Sequence, residues 1–322
     1  VQRVFSGMQP TGGVHLGNYI GALKNWVGMQ AEYDCIYTVV GFHALTVPVD
    51  PEVLRAQRLY LAKAVMAVGV DPDTSLFYYQ SAVPQHLELS WYLAVDTPLG
   101  SLNRMAQFKE KSEKVGERLG LYSYPVLQAA DILIHKANAV PVGDDQTQHL
   151  ELTRDIAQRF NSRYGETFPV PERITPKVGG RVMSLQSPTS KMSKSDPNPN
   201  GVVGLFDAPA VLMKKFKRAV TDSGSSVHMD WKEKPGVSNL LEIMSVVTDR
   251  GIGALENEFA GQQYGHLKVA VGEAVVEAFT PFRARFDSLD NGEVEEVMAR
   301  NAAKARGMAE ETLVEVRNKM GL

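Results

Sequence analysis

Two short segments far apart in the chain have side chains and spacing suited to holding a polyphosphate. Gln9-Pro10-Thr11-Gly12-Gly13-Val14-His15-Leu16-Gly17-Asn18 follows an apolar run and ends on a His and an Asn three positions apart. On an opening helix that spacing turns both side chains, and the free N–H groups of the first turn, toward one anion. Gly12, Gly13 and Gly17 let the backbone approach it closely. The second segment, Lys191-Met192-Ser193-Lys194-Ser195, sets two lysines three residues apart on a hydroxyl-rich stretch between Pro188 and Pro197. The prolines disfavour a helix and suit a loop that can close over phosphate oxygens. A lysine that arrives as charge moves onto a departing phosphate group stabilises the transition state more than the ground state. Each segment also has a plainer reading, as a strand-to-helix turn with a surface His and as a solvated basic loop. The first is neither a P-loop, since no Lys-Ser or Lys-Thr pair follows the last glycine, nor a dinucleotide fingerprint, whose glycines are spaced differently.

The elements that must position these groups alternate in type. Residues 4–8 read as a buried strand, and residues 18 to about 31, with Ile20, Leu23, Trp26 and Val27 at helical spacing, as the helix after it. A buried run at 35–40, a helix opened by Asp50-Pro51-Glu52 and ending near 68–69, and a strand at 75–80 follow. This alternation predicts an α/β fold with a doubly wound, Rossmann-like parallel sheet. Residues 81 to about 123 read as a helical insertion over the carboxyl edge of the sheet, where such folds bind ligands. A second pass supplies a strand at 139–143 and a helix at 148–164, so residues 1–190 form the expected catalytic domain. Beyond Pro209 the pattern is helical, punctuated by Asp222-Ser223-Gly224-Ser225-Ser226 and Lys234-Pro235-Gly236, with no further strand. Residues 191–290 are therefore read as the lysine loop with a smaller all-helical domain. Residues 291–322 are read as a C-terminal helical segment, broken near Gly307, whose later part packs back on the first domain.

Composition sets outer bounds. With 322 residues, 44% of them hydrophobic, the chain can bury an ordinary globular core. Cys35 is the single cysteine, which allows no internal disulfide and no cysteine-rich zinc site. No run approaches the roughly 18 apolar residues that span a bilayer, and no basic segment followed by an apolar one opens the chain, so a cytoplasmic protein without membrane contact is expected. A net charge of −3 neither suggests nor excludes RNA. The best local basic surface is Lys214-Lys215-Phe216-Lys217-Arg218, read either as a phosphate contact or as a solvated helix face.

His15-Leu16-Gly17-Asn18 and the segment from Lys191 to Ser195 together resemble the His-Ile-Gly-His and Lys-Met-Ser-Lys-Ser signatures of the class I aminoacyl-tRNA synthetases. Within that family the resemblance narrows to the bacterial tryptophanyl branch. It is carried by Phe5-Ser6-Gly7, Gly17-Asn18-Tyr19-Ile20-Gly21-Ala22-Leu23, Gln107-Phe108-Lys109-Glu110-Lys111, Ala129-Ala130-Asp131-Ile132-Leu133, Pro141-Val142-Gly143-Asp144-Asp145-Gln146, Val220-Thr221-Asp222-Ser223 and Pro235-Gly236-Val237-Ser238-Asn239-Leu240-Leu241. These run through most of the chain, in order.

The resemblance implies a ligase that activates L-tryptophan with ATP, releases pyrophosphate and passes the tryptophanyl group to the 3′ end of tRNA(Trp). It implies His15, Asn18, Lys111, Lys191 and Lys194 as catalytic groups. Gln9, Pro10, Thr11, Gly17 and Asn18 would surround the phosphates and ribose, with Met192, Ser193 and Ser195 beside the two lysines of the loop. Gly143, Asp144 and Asp145 would face the ribose, and Val182 and Met183 the adenine. Asp131 would accept the indole N–H, between walls formed by Phe5, Val140 and Val142, with Gln128 beside the indole. His43, Gln107, Tyr124 and Gln146 would lie near the polar end of the amino acid. Mg²⁺ would come with ATP, without a dedicated metal site or a tightly bound cofactor. The family further implies a homodimer whose helical domain reads the anticodon.

Three positions depart from the family pattern. Asn18 stands for the second signature histidine, a change that fits chemistry in which the substrate carboxylate itself attacks phosphorus. Gly41 stands where relatives often carry Asp, and Gln128 where some carry Met. The residues alone leave plainer alternatives open: a locally paired carboxylate at Asp131, sheet core at Phe5 and the valines, and a surface lysine at Lys111. A tyrosyl enzyme of the same fold, a simpler nucleotidyltransferase and a non-catalytic RNA- or partner-binding paralogue are the competing functions.

Overall fold

The computed structural model describes residues 1–105, 116–143, 146–175, 182–194 and 196–322. Strands Arg3–Met8 (β1), Asp34–Val39 (β2), Leu76–Tyr79 (β3), Ala139–Pro141 (β4) and Glu172–Ile174 (β5) form one parallel sheet in the order β3-β2-β1-β4-β5. This is the doubly wound α/β arrangement that the alternating pattern predicts. The fifth strand was not foreseen. It is only three residues long, Glu172 and Arg173 are exposed, and an edge strand of that kind carries no apolar signal.

Successive side chains of a strand point to opposite faces. Val4, Cys35, Tyr37 and Phe77 accordingly join one core, and Phe5, Ile36, Tyr78 and Val140 the other. The first core is covered by a helix, α1, in three continuous parts: Leu16–Asn18, a π-helical turn Tyr19–Leu23, and Lys24–Met29. Its Trp26 stacks on Tyr37 with ring centroids 4.4 Å apart and planes 3° from parallel. The Tyr37 hydroxyl donates to the Trp26 carbonyl at 2.9 Å. The wider π turn places Tyr19 against Phe279 and Phe282, at centroid distances of 5.7 and 5.2 Å.

The remaining helices are Gly41–Ala44 (α2), Pro51–Ala67 (α3), Gln85–Ala94 (α4), Leu99–Asn103 (α5), Leu119–Ile134 (α6), Thr147–Tyr164 (α7), Pro209–Lys217 (α8), Pro235–Thr248 (α9), Ile252–Glu258 (α10), Tyr264–Ser288 (α11) and Asn291–Met320 (α12). No helix among the described residues is long and apolar enough to cross a membrane. α6 begins inside the segment read as an insertion and continues without a break to Asp131 and beyond.

The expected break near Gly307 is absent: α12 runs through it. A glycine in an exposed helix costs about 1 kcal/mol, and the buried Ala305 and Ala309 on either side outweigh it. Asp290 caps the helix by accepting from the N–H groups of Gly292 and Glu293, and left-handed Gly321 ends it. α12 wraps the β3 edge, with Val294 and Met298 in one core and Ala302, Ala305, Ala309, Leu313 and Val316 in the other. Near its end Arg317 donates to both carboxylate oxygens of Glu88 on α4, at 2.7 and 2.9 Å.

The chain leaves β1 toward β2 on one side and β4 toward β5 on the other, so the switch point lies between β1 and β4. The loop from Gln9 to His15 and the segment Val142-Gly143 emerge there, at the carboxyl ends of adjacent strands.

Leu313 is fully buried whereas its neighbour Val314 is exposed. Leu313→Ala should lose about 2–5 kcal/mol in urea unfolding, and Val314→Ala less than about 0.5 kcal/mol. Equal effects would show that α12 is not held by this face.

Candidate active site

His15 precedes α1 in extended conformation, and its N–H is accepted by Asn18 Oδ1 at 3.2 Å. That contact spends the oxygen of Asn18 and leaves its amide nitrogen to donate. The His15 ring folds over Gly17, where a Cβ would come within 3.0 Å of two ring atoms, so only glycine leaves the ring in place. Gly12 is left-handed, with φ of +66°, and lies under the side chain of Lys194. The Lys194 ammonium donates to the Thr11 carbonyl. The two segments singled out by their spacing thus meet at one place.

The lysine loop is anchored at both ends. Met183 pairs with Lys191 in an antiparallel bridge, and the Met192 N–H donates to Val182 at 2.9 Å. Val182, Met183 and Met192 are buried beneath the lysines. Ser184 Oγ donates to Asp196 Oδ2 at 2.6 Å, on the far side of the loop. From α9, Asn239 receives the Met183 N–H and donates to the Met183 carbonyl, both at 2.9 Å, as a neighbouring strand would. The His15 segment is fixed to the same layer, since Leu16 N–H donates to Val203 and Leu205 N–H to Val14, at 2.8 and 2.9 Å.

This arrangement sets the electrostatics. Burial lowers the His15 pKa to about 4, and the positive charges of Lys194 and Lys191 add to the effect. His15 is therefore a neutral imidazole at physiological pH, and its Nδ1 is buried without a hydrogen-bond partner. The Lys194 residue is exposed along its length, but its ammonium sits in the mouth against Thr11, and desolvation lowers its pKa. Two ammonium groups, a neutral imidazole and helix N–H groups form a donor set for phosphate oxygens. Among the described residues no group of three or more His, Cys, Asp or Glu side chains could hold a metal ion.

A second buried polar group lies against the other core. Asp131 on α6 is 1% exposed. His43 Nε2 lies 2.8 Å from its Oδ2, Gln80 Nε2 donates to both oxygens at 2.8 Å, and His86 Nδ1 lies 2.8 Å from Oδ1 without hydrogen-bond alignment. Burial by itself would raise the Asp131 pKa, but the imidazoles of His86 and His43 hold it well below the usual carboxylate range. Behind His86, the Tyr78 hydroxyl bonds Nε2 of both His86 and His135, at 2.9 and 2.7 Å. Burial depresses His135 strongly and keeps it neutral.

Asp131, His43 and Tyr124 come together directly, with the His43 and Tyr124 rings edge-on at 6.1 Å. Tyr124 is bonded in turn to His149 on α7, at 2.6 Å. Phe5, Val140 and Val142 share one buried cluster with Ala129 and Ala130, the neighbours of Asp131. Gln128 is half-buried one helical turn before Asp131, and the Gln146 N–H donates to the Gly143 carbonyl at 3.1 Å. Gln9 and Thr11 are half-buried, Pro10 is buried, and Ser193 and Gly143 are exposed. Gln107, Lys111, Asp144, Asp145 and Ser195 lie outside the described residues. Within the basic run of α8, Phe216 is core, and Lys215 is bonded to Asp207 and to the Val202 carbonyl, both at 2.7 Å. Lys214, Lys217 and Arg218 are the exposed cations. Gln80, His86 and His149 escaped the sequence reading, and Asn239 entered it only within a resembling segment without a role, because their partners are distant in the chain and no local spacing marks them.

The model of tRNA synthetases class I (W and Y) matches residues 1–280. The chain belongs to that family. Over 323 residues this class I synthetase is 49% identical to a Tryptophan--tRNA ligase of Caldanaerobacter subterraneus subsp. tengcongensis, covering 100% of this chain and 99% of the relative. Its structure resembles a tryptophanyl-tRNA synthetase of Mycoplasma pneumoniae, with a TM-score of 0.91 and 33% identity over 100% of this chain and 98% of that one. It also resembles the Campylobacter jejuni tryptophanyl-tRNA synthetase complexed with ADP and tryptophan, with a TM-score of 0.85 and 34% identity over 99% and 100% of the two chains.

The depressed pKa of His15 has a testable sign. As pH falls below 6.5 the unfolded chain takes up this proton first, so stability present above that pH is lost as pH approaches about 4. In the folded synthetase the His15 ring should titrate near 4 by NMR, and Lys194→Met should move it upward. A midpoint near 6.5 in the unaltered protein would contradict the assigned environment.

Proposed function

We propose that the chain joins L-tryptophan to tRNA(Trp) in two steps at the β1–β4 switch point. An oxygen of the tryptophan carboxylate attacks the α-phosphorus of ATP, the bond from that phosphorus to the bridging oxygen breaks, and pyrophosphate leaves. A ribose hydroxyl at the tRNA 3′ end then attacks the carbonyl carbon of the adenylate, and AMP leaves. The observation that carries this reading is the closure of the Lys194 loop on the Thr11 carbonyl, in a chain that also buries a multiply bonded carboxylate at Asp131.

Lys191 and Lys194 stabilise the charge that develops on pyrophosphate, and His15, as a neutral donor, and Asn18 bind phosphate oxygens. Gln9, Pro10, Thr11 and Gly17 line the nucleotide, with Gly143 at the ribose and Val182 and Met183 at the adenine. Lys111, Asp144, Asp145 and Ser195 complete this set by resemblance. Mg²⁺ would arrive bound to the phosphate oxygens of ATP and would offset their charge there; among the described residues no cluster of His, Cys, Asp or Glu is present to hold it.

Asp131 accepts the indole N–H with His43 beside it at Oδ2, Phe5, Val140 and Val142 form the walls with Gln128, and Tyr124, Gln146 and Gln107 surround the amino and carboxylate groups. A buried acceptor left empty by phenylalanine provides discrimination that apolar walls alone do not. The helical elements from α8 to α11 receive the tRNA, with Lys214, Lys217 and Arg218 as phosphate contacts. The enzyme works in the cytoplasm as a homodimer.

Exchange of pyrophosphate into ATP, assayed with each standard amino acid, should require tryptophan; exchange with tyrosine alone would replace this reading. Asp131→Ala should lower kcat/KM for tryptophan by about 100-fold or more while the KM for ATP stays within about 2-fold. Unchanged discrimination against phenylalanine and tyrosine would remove Asp131 from the pocket.

A further inference from the structure

Gln80 ends β3 and opens the short turn Gln80–Ala82, where it is fully buried. Its Oε1 accepts the Phe42 N–H at 3.0 Å, and its Nε2 donates to both oxygens of Asp131 at 2.8 Å. The orientation of this amide is unambiguous, since a backbone N–H requires the oxygen and a carboxylate requires the nitrogen. A carboxylate offers about four acceptor directions, and Gln80, His43 and His86, from three separate elements, occupy both oxygens. Gln80 and His86 approach from the fully buried side. His43, 5% exposed and edge-on to Tyr124, is the least enclosed of the three, so it is the partner that a ligand would displace from Oδ2.

We infer that Gln80 is a positioning residue for amino-acid selection: by binding the Phe42 backbone and both Asp131 oxygens at once, it locks the carboxylate against rotation. The locked carboxylate accepts a ring N–H that replaces His43 at Oδ2, and it cannot swing to reach the hydroxyl of a phenol elsewhere on the ring. The inference rests on Asp131 being the indole acceptor. It adds that selectivity depends on a residue that touches no substrate.

The test is pyrophosphate exchange in Gln80→Met, and in Gln80→Ser, which leaves room for water. In both, the KM for tryptophan should rise about 10- to 100-fold, with kcat and the KM for ATP within about 3-fold. The preference for tryptophan over benzothienylalanine, in which sulfur replaces the indole N–H, should collapse, and activation of tyrosine relative to tryptophan should rise. A merely structural role would weaken tryptophan and benzothienylalanine equally. Unchanged preference in either Gln80 variant, with Asp131→Ala still abolishing it, would overturn the role of Gln80 alone. Unchanged preference in Asp131→Ala, which removes the acceptor, would instead overturn the pocket reading beneath it. In the unaltered protein the Gln80 side-chain amide protons should exchange slowly, and more slowly with tryptophan bound; exchange as fast as that of surface glutamines would also defeat the inference.

Discussion

The contact between the Lys194 ammonium and the Thr11 carbonyl joins segments 183 residues apart and determines where charge sits in the site. It brings the two lysines against a buried imidazole, and the cost of crowding like charges is met by keeping His15 neutral. The result is a cluster of donors, two ammonium groups and an imidazole whose Nδ1 has no hydrogen-bond partner, a set suited by its chemistry to phosphate oxygens.

That contact is only as precise as the layer behind it. The lysine loop is tied to the backbone around Val182 and Met183, Met183 is gripped by Asn239 of α9, and the His15 segment is tied to residues 203–205. At the end of α9, Asp249 receives Lys24 of α1 at 2.7 Å, so the helical part of the chain holds both halves of the clamp. A displacement of α9 would therefore be felt at Lys191 and Lys194 through hydrogen bonds to backbone rather than through loose packing.

β1 links the clamp segment to the second core. Phe5 joins the cluster containing Val140 and Val142, and four residues later the chain reaches Gln9 at the start of the glycine-rich loop. Because alternate residues face opposite sides of the sheet, a slip of one position would bury the wrong set and displace both segments. The buried carboxylate imposes the second requirement. Asp131 is tolerable in this interior because three side chains meet it, and those side chains rigidify the pocket as they do so.

The sequence was most informative where the signal is local. Strands at 4–8, 35–40 and 75–80 are legible from apolar runs, and the two clamp segments from glycine, histidine and lysine spacing. Asp131 and the wall residues proposed with it came from resemblance, since an aspartate in an apolar helix by itself reads only as a locally paired carboxylate. β5 was missed because exposed Glu172 and Arg173 hide it, and the interruption expected at Gly307 gave way to burial of the alanines around it. Gln80 and the role of Asn239 were invisible because these side chains act across 51 and 56 residues, separations that only the folded chain closes.

The central claim is that the closed lysine loop stabilises the transition state of amino-acid activation. It is tested most directly by single-turnover formation of the tryptophanyl adenylate in Lys194→Met. The account predicts a rate lower by about 10²- to 10³-fold with tryptophan affinity within about 2-fold. An unchanged rate, or a loss confined to tryptophan affinity, would contradict it.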